Sequence, residues 1–276
     1  MALAKRLIGG ADMGSVSFGP LLFSTQQIAA IVSAAVFLTA SWPLGVSVDS
    51  RFHRWSSTSV GLFVVVARVA YVLVHWSTFV DEPLRVLFVW QGGFSWYSGL
   101  SAVLIMSVVS FKNARLVVLS LVPISAAAIA AAAIYLLIPG TLEAPLPNIA
   151  FSTADGRTLS FEELRGRPLV INLWASWCPP CRRELPMMAA FAHKANTTTF
   201  VFANQGEGRG TISSFLAGQG LALDIVAMDQ NGTLARYYQL RGLPTTLFID
   251  SKGKVHSVSV GELSKEALTD AVDAVN

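Results

Sequence analysis

The sequence predicts two successive parts of different class: an α-helical transmembrane domain of about four helices, then an α/β domain with an extra hairpin at its front. Three observations predict this. Long apolar runs dominate before about Gly140, and charged residues and turn signals become frequent after it. Only 13% of the residues are charged and the mean hydropathy is +0.54, as in a membrane protein rather than a large soluble core. The third is Leu169–Glu184, LVINLWASWCPPCRRE, where a short apolar run rich in β-branched residues feeds a helical pattern through a Cys-x-x-Cys pair.

Cys178 and Cys181 are the only cysteines in 276 residues. They stand where a strand gives way to a helix, so unpaired backbone N–H groups and the helix dipole favour the thiolate of the first. Pro179 and Pro180 suit a first helical turn, where a missing N–H costs little. The pair therefore reads as a redox centre, with Cys178 as nucleophile, exposed at the helix start, and Cys181, one turn in, resolving the mixed disulfide. One such pair and four scattered histidines do not supply a closed set of zinc ligands, so no metal is expected. A formal charge of +3, with no basic stripe and no RNA or DNA motif, sets nucleic acid aside as a partner.

In chain order, Met1–Gly19 is short and mixed, with Lys5, Arg6 and Asp12. The apolar run behind it is long, starts late and is followed by others, which reads as a retained segment rather than a cleaved signal. Pro20–Trp42 is the first span, its Gln26 and Gln27 facing a helix partner rather than lipid. Arg51, His53 and Arg54 make a basic loop. Val60–Phe79 is the second span and contains Arg68 and His75. An arginine inside a span is a functional-site candidate by default, and the alternative is a structural partner for Gln26, Gln27 or a lipid phosphate. After Asp81, Glu82 and Arg85 comes an aromatic interfacial stretch through Trp90, Phe94, Trp96 and Tyr97. Leu100–Phe111 completes a third span if those rings enter the bilayer. Lys112 and Arg115 form another basic loop, and Leu116–Ile138 is the fourth span, with Ser125 and Ala127–Ala133 allowing close helix packing. With both basic loops in the cytoplasm, four spans put both ends outside. Lys5 and Arg6 weigh against that arrangement, whereas a dithiol domain beyond the last span suits an oxidising compartment.

Ala67-Arg68-Val69-Ala70-Tyr71-Val72-Leu73 followed by Trp90-Gln91-Gly92-Gly93-Phe94-Ser95-Trp96-Tyr97-Ser98-Gly99-Leu100 resembles the front half of the prolipoprotein diacylglyceryl transferases, as do Phe18-Gly19-Pro20 and Pro83-Leu84. That family has an outside N-terminus, which the resemblance carries over here. Tyr97 stands where the family has a histidine in Ser-Phe-His-Gly-Gly, the tyrosine of the family's first span is missing, and there is no Gly-Arg-x-Gly-Asn signature. The resemblance, over Ser17–Leu121, therefore implies a retained fold used as an anchor rather than lipid transfer.

A Pro-rich linker, residues 140–147, separates the membrane domain (1–139) from the second domain (148–276), and its prolines make it a short, fairly stiff tether. Ala154-Asp155-Gly156 predicts a hairpin between Asn148–Ser152 and Arg157–Ser160. A helical turn at Phe161–Leu164, ended by Gly166, precedes the strand Leu169–Trp174 and the Cys178 helix. Thr198–Ala203 is a strand, Gly206–Gly210 a flexible loop, Thr211–Ala217 a short helix, Leu223–Val226 a strand and Leu234–Leu240 a helix. Thr245–Asp250 and Val255–Val260 form a hairpin through Ser251–Lys254, and Leu263–Val275 a closing helix. Strand–helix–strand followed by hairpin–helix is the thioredoxin arrangement.

This half resembles the TlpA-like membrane-anchored thiol–disulfide oxidoreductases, relatives of those that reduce apocytochrome c. The resemblance rests on Asp155-Gly156…Leu164-Arg165-Gly166, Asn172-Leu173-Trp174-Ala175-Ser176-Trp177-Cys178-Pro179-Pro180-Cys181, Glu184-Leu185-Pro186 and Gly242-Leu243-Pro244-Thr245-Thr246. It implies a cis peptide before Pro244, facing the cysteines and placing the substrate strand, with Leu243 and Thr245 flanking that surface. It places Glu184 near the active site, to handle a proton from Cys181 or tune its acidity, or else as an ordinary first-turn glutamate. Asn172 takes the place of thioredoxin's buried aspartate and, as an amide, cannot carry the proton. Trp177 shields the disulfide edge and, with Pro179 and Pro180, meets the substrate. Trp174 is core, Arg182 and Arg183 are a solvated face, and His193 and His256 carry no assignment.

The expected activity is reduction of disulfides in exported proteins, by a domain on the periplasmic side of the bacterial inner membrane. The Cys178–Cys181 disulfide is the only redox group, with no cofactor. The membrane part has no cysteine to carry thiol electrons, so an external thiol donor, a membrane reductase, is required. The rivals are an oxidase or isomerase using the same site, a lipid-modifying transferase with a redox appendage, and a non-catalytic binding module.

Overall fold

The computed structural model describes residues 15–18, 21–80, 83–89, 92–137, 145–240 and 242–276. The readings placed on Lys5, Arg6, Asp12, Gly19, Pro20, Asp81, Glu82, Trp90, Gln91, residues 138–139 at the end of the fourth span and residues 140–144 of the linker lie outside these. Two units result, a helical one within Thr25–Ile138 and a second within Met1–Ser24 and Pro139–Asn276, which holds the α/β part.

Ahead of the helical unit, β1 (Ser15–Phe18) and β2 (Leu21–Ser24) pair antiparallel, so the first helix begins at Thr25 and not at Pro20. Its helices are α1 (Thr25–Ser47), α2 (Arg51–Val74), α3 (Trp96–Ser110) and α4 (Ala114–Leu137). Among the described residues, α1, α2 and α4 are long and apolar enough to cross a membrane. The third helix does take in Trp96 and Tyr97, but its 15 residues reach only about 22 Å, against roughly 30 Å of hydrocarbon. Helix α4 packs on α1 and α3 on α2, and Phe37, Phe52, Trp55, Phe111, Val103 and Leu116 form the core.

The basic loop expected at Arg51–Arg54 is instead the opening of α2. Asp49 explains the early start: its Oδ1 accepts the Arg51 N–H at 2.9 Å, satisfying a donor the helix itself cannot. Phe52 and Trp55, three apart on one face, are then buried at 0% and 2% exposure. Helix α1 approaches this segment at Gly45, where an added Cβ would overlap the His53 imidazole that packs edge-on against Trp42. Gly45→Val should therefore destabilise the unit by about 1–3 kcal/mol, read as a lower unfolding midpoint of the detergent-solubilised protein. Gly61→Ala, at a site with open space, is the control. Equal midpoints for the two variants would refute this close approach.

Arg68 is buried, and its guanidinium donates to the carbonyls of Val86 (3.0 Å), Arg85 (2.9 Å), Gly92 (2.6 Å) and Gly93 (3.0 Å). Gly92 and Gly93 adopt φ of +77° and +79°, a region open to glycine at little cost. The arginine thus ties the backbone of Arg85, Val86, Gly92 and Gly93 to α2.

In the α/β unit, β3 (Ala150–Ser152) and β4 (Thr158–Ser160) form the expected hairpin. The main sheet contains β5 (Leu169–Trp174), β6 (Thr199–Gln205), β7 (Val226–Asp229), β8 (Thr245–Ile249) and β9 (Val255–Val260), in the order β7-β6-β5-β8-β9. The first three run parallel and β8 and β9 antiparallel to their neighbours. The strand expected at Leu223–Val226 lies three residues later, because Val226 and Ala227 are the ones that enter the core beside Phe202 and Ala203. Helices α5 (Pro179–Ala192), α6 (Arg209–Gln219), α7 (Thr233–Tyr237) and α8 (Lys265–Asp273) complete the unit.

Every residue of β5 is buried, as for a central strand covered on both faces. Val170 and Trp174 join one core with Leu185, Met188, Phe248 and Leu268; Ile171 and Leu173 join the other with Val201, Leu234 and Leu247. Pro145 bridges Lys254, and Leu146 donates to the Gly253 carbonyl at 2.9 Å. By register this is the end of β8 opposite its Thr245 end.

Candidate active site: a disulfide and a buried acid

Strand β5 delivers the chain to one edge of the sheet, and Ala175–Trp177 turn it into α5. Cys178 caps that helix in extended conformation (φ −89°, ψ 107°), and its sulfur accepts the Cys181 N–H at 3.3 Å. An N-terminal N–H, unsatisfied within a helix, thus meets the one sulfur that must carry negative charge in thiol exchange. Cys178 and Cys181 are disulfide-bonded.

The expected exposure of Cys178 is corrected here: it is 3% exposed, and Cys181 is 0%. Cys178 belongs to the buried core that includes Trp174, Ala175 and Leu185, while Trp177 takes the solvent side at 68% exposure. Pro179 is exposed and Pro180 half-buried, so Trp177 and the two prolines form the outer rim of the site. Trp174 is fully buried against Phe215, a core residue as expected.

The Leu243–Pro244 peptide is cis. Because Leu173 at the end of β5 pairs with Thr245 at the start of β8, Pro244 sits beside the strand end that leads to Cys178. Leu243 is half-buried and packs between the two cores. Thr245 does not flank a surface as expected. It is fully buried, and its hydroxyl donates to the Gly242 carbonyl at 2.7 Å, because β8 is covered on both faces along its whole length.

Glu184 lies one turn beyond Cys181 on α5 and is 2% exposed. Its Oε1 accepts from Asn172 Nδ2 at 2.9 Å and its Oε2 from the Leu263 N–H at 3.0 Å. Asn172 Nδ2 also donates to Thr246 Oγ1 at 3.0 Å. Burial raises the Glu184 carboxyl to about 8, although the bonds from Leu263 and Asn172 act in the opposite sense; nearby Glu262 raises it and Arg183 lowers it. An acid placed there can hold or release a proton near neutral pH, one helical turn from the inner cysteine.

Arg183 is exposed but not merely solvated: its Nε and Nη2 donate to Glu262 Oε2 at 2.9 and 2.6 Å, joining α5 to the loop that presents Leu263. Arg182 lies over the Phe215 ring. His193 and His256 are exposed.

Sequence reasoning missed Glu207, which lies in the loop read only as flexible. Its carboxylate accepts from the Ser176 N–H at 2.8 Å, from the Ser176 hydroxyl and from Asn204 Nδ2 at 2.6 Å. It therefore pins the turn two residues before Cys178. The available signal was an acidic residue just after a strand parallel to β5, at the same edge of the sheet as the cysteines.

Residues 141–275 match the family model described as Redoxin. The C-terminal half is a redoxin domain. It is thioredoxin-like and a thiol–disulfide oxidoreductase, as the Cys-x-x-Cys strand–helix junction predicts. Thiol-disulfide oxidoreductase ResA of Bacillus subtilis is 28% identical to the chain over 131 residues, 47% of this chain and 73% of that protein. The sporulation thiol-disulfide oxidoreductase A of the same organism is 28% identical over 121 residues, 42% of this chain and 72% of that one. Among solved structures, a thiol:disulfide interchange protein of the thioredoxin family from Chlorobium tepidum is 30% identical, covers 48% of this chain and 96% of its own, and gives a TM-score of 0.44. All three similarities concern the redoxin domain. Ahead of it, residues 22–136 match the model for prolipoprotein diacylglyceryl transferase, as the motifs around Arg68 and Tyr97 predict.

Proposed function

We propose that the protein is a membrane-tethered reductase of disulfides in exported proteins, with its redoxin domain on the periplasmic side of a bacterial inner membrane. The observation that carries this reading is the Cys178–Cys181 pair at the start of α5 with the buried carboxyl of Glu184 one turn further in. In the reduced protein the Cys178 thiolate attacks one sulfur of a substrate disulfide. A Cys178–substrate disulfide forms and the other substrate sulfur leaves as a thiolate. Cys181 loses its proton to the Glu184 carboxylate and attacks the Cys178 sulfur. The substrate leaves as a dithiol and Cys178–Cys181 becomes a disulfide: two electrons pass to the substrate. Trp177, Pro179, Pro180, Leu243 and Pro244 border the approach to Cys178, and Thr245 contributes backbone only.

The cycle closes when a dithiol donor returns two electrons. That donor is external, because the membrane half has no cysteine. Orientation rests on Arg51 and Arg54 at the start of α2, on Lys112 just before α4 and on Arg115 in its first turn, which the positive-inside rule assigns to the cytoplasm. This reading has the short α3 cross together with the residues ahead of it. We read the transferase-like unit as an anchor: Tyr97 replaces the family's histidine, and its ring stacks on Trp96 at 3.4 Å.

Labelling of intact cells with a membrane-impermeant maleimide tests both side and direction, since only two thiols exist. Labelling without prior reduction is the expected result, for an external dithiol kept reduced. Labelling only after reduction would favour the oxidase, and none in either case would overturn the topology.

A further inference from the structure

Asn172 projects from the central strand β5 into the space between α5 and β8 and is 1% exposed. Its two amide atoms are treated very differently. Nδ2 has two partners, Glu184 Oε1 and Thr246 Oγ1, whereas Oδ1 is buried with no hydrogen-bond partner among the described residues. That arrangement serves an ionised Glu184, whose two oxygens only accept. A protonated Glu184 must instead donate, and with Oε2 taken by the Leu263 N–H its proton falls on Oε1, facing Asn172.

The two ends of a carboxamide have nearly the same size and shape, so half a turn about the last side-chain bond exchanges them without repacking. After that turn Oδ1 accepts from the Glu184 acid and from the Thr246 hydroxyl, and Nδ2 becomes the atom without a partner. Each orientation then makes two hydrogen bonds and leaves one amide atom unpaired, so neither is favoured until the proton decides. We propose that Asn172 is a positioning residue whose amide turns over as Glu184 gains or loses its proton, donating to the carboxylate and accepting from the carboxylic acid. The proposal rests on the reading of Glu184 as the proton-handling group for Cys181 and adds what keeps it solvated inside the protein in both states.

The charged groups around Glu184 are Arg183 on its own helix and Glu262 on the β9–α8 loop, which pair with each other. Strands β5 and β8 present only Asn172 and Thr246, which do not titrate. The titration of Glu184 therefore reports on the amide with little interference. The full-length oxidised protein in lipid nanodiscs, labelled with ¹³C-carboxyl glutamate, gives the midpoint, with Glu184→Gln identifying the signal.

An amide that serves both states stabilises both. Asn172→Leu, of similar shape, should then shift the midpoint by less than about half a pH unit while lowering the unfolding temperature on both sides of it. A larger shift overturns the proposal: upward for an amide fixed as donor, downward for one fixed as acceptor. If Asn172→Leu does not fold, the distance between ¹⁵N-labelled Asn172 Nδ2 and the ¹³C-carboxyl of Glu184 in the wild-type protein is a second test: it should lengthen as Glu184 is protonated, and a constant distance would overturn the proposal. Failure of the underlying reading looks different. In that case Glu184→Gln would leave the pH profile of disulfide reduction unchanged, whatever the midpoints do.

Discussion

Cys178→Ser is expected to remove disulfide reduction, with a loss of about 10³-fold or more, because no second thiol can take the first step. Cys181→Ser should fail differently. It retains Cys178 at the helix start, so the first exchange proceeds and the product cannot be released. A covalent enzyme–substrate adduct then accumulates, visible on a non-reducing gel and dispersed by added dithiol. The asymmetry follows from position. Cys178 caps α5 next to the exposed Trp177 and Pro179, whereas Cys181 is fully buried one turn deeper. Both sulfurs are nearly inaccessible in the oxidised protein, so the assignment of the first step to Cys178 rests on its place at the helix N-terminus beside that exposed rim. An adduct trapped by Cys178→Ser instead would reverse the assigned order of the two cysteines.

Glu184→Gln is expected to stabilise the oxidised protein above pH 8 and to leave it nearly unchanged at pH 4. The folded carboxyl is raised to about 8 from an ordinary value of 4.5. Between those two values the folded chain holds a proton that the unfolded chain has released. Stability therefore falls as pH rises through this window and levels off above it. Glutamine keeps the shape and an acceptor for the Leu263 N–H but has no charge to bury, which is worth up to a few kcal/mol at alkaline pH. Thermal unfolding at pH 4 and pH 9 checks the sign; a variant less stable than the wild type at pH 9 would show that the hydrogen bonds outweigh burial. The same substitution should slow release from the mixed disulfide and remove an inflection near pH 8 from the rate profile.

Much of the redoxin domain was legible because local and global signals agree there. The β5 strand is a run of six apolar or β-compatible residues that ends where it was expected to end, and the Asp155-Gly156 turn specifies its hairpin. The membrane helices were legible as apolar runs, but three of the described helices are long enough to span against the four expected, and their limits were less legible. A hydropathy pattern cannot see that Asp49 accepts the first N–H of α2, or that Leu21–Ser24 pairs in a strand and so delays α1. Strand β7 slipped by three residues for a related reason: which of several apolar residues pairs with β6 is decided by the neighbouring strand, not by its own sequence.

By itself the sequence determined the two-part organisation and the cysteine pair at a strand–helix junction, which depend on residue type and on spacing along the chain. Glu184 as a candidate acid and Pro244 opposite the cysteines came through the resemblance to the TlpA-like family. Only the tertiary structure decided that Cys178 and Thr245 are buried, that Glu207 pins the turn before the disulfide and that Glu184 shares its proton site with Asn172, Thr246 and Leu263. These partners lie up to 79 residues apart. Both the acidity of a buried carboxyl and the exposure of a sulfur are set by the desolvation and hydrogen bonds that such distant residues impose once they are packed together.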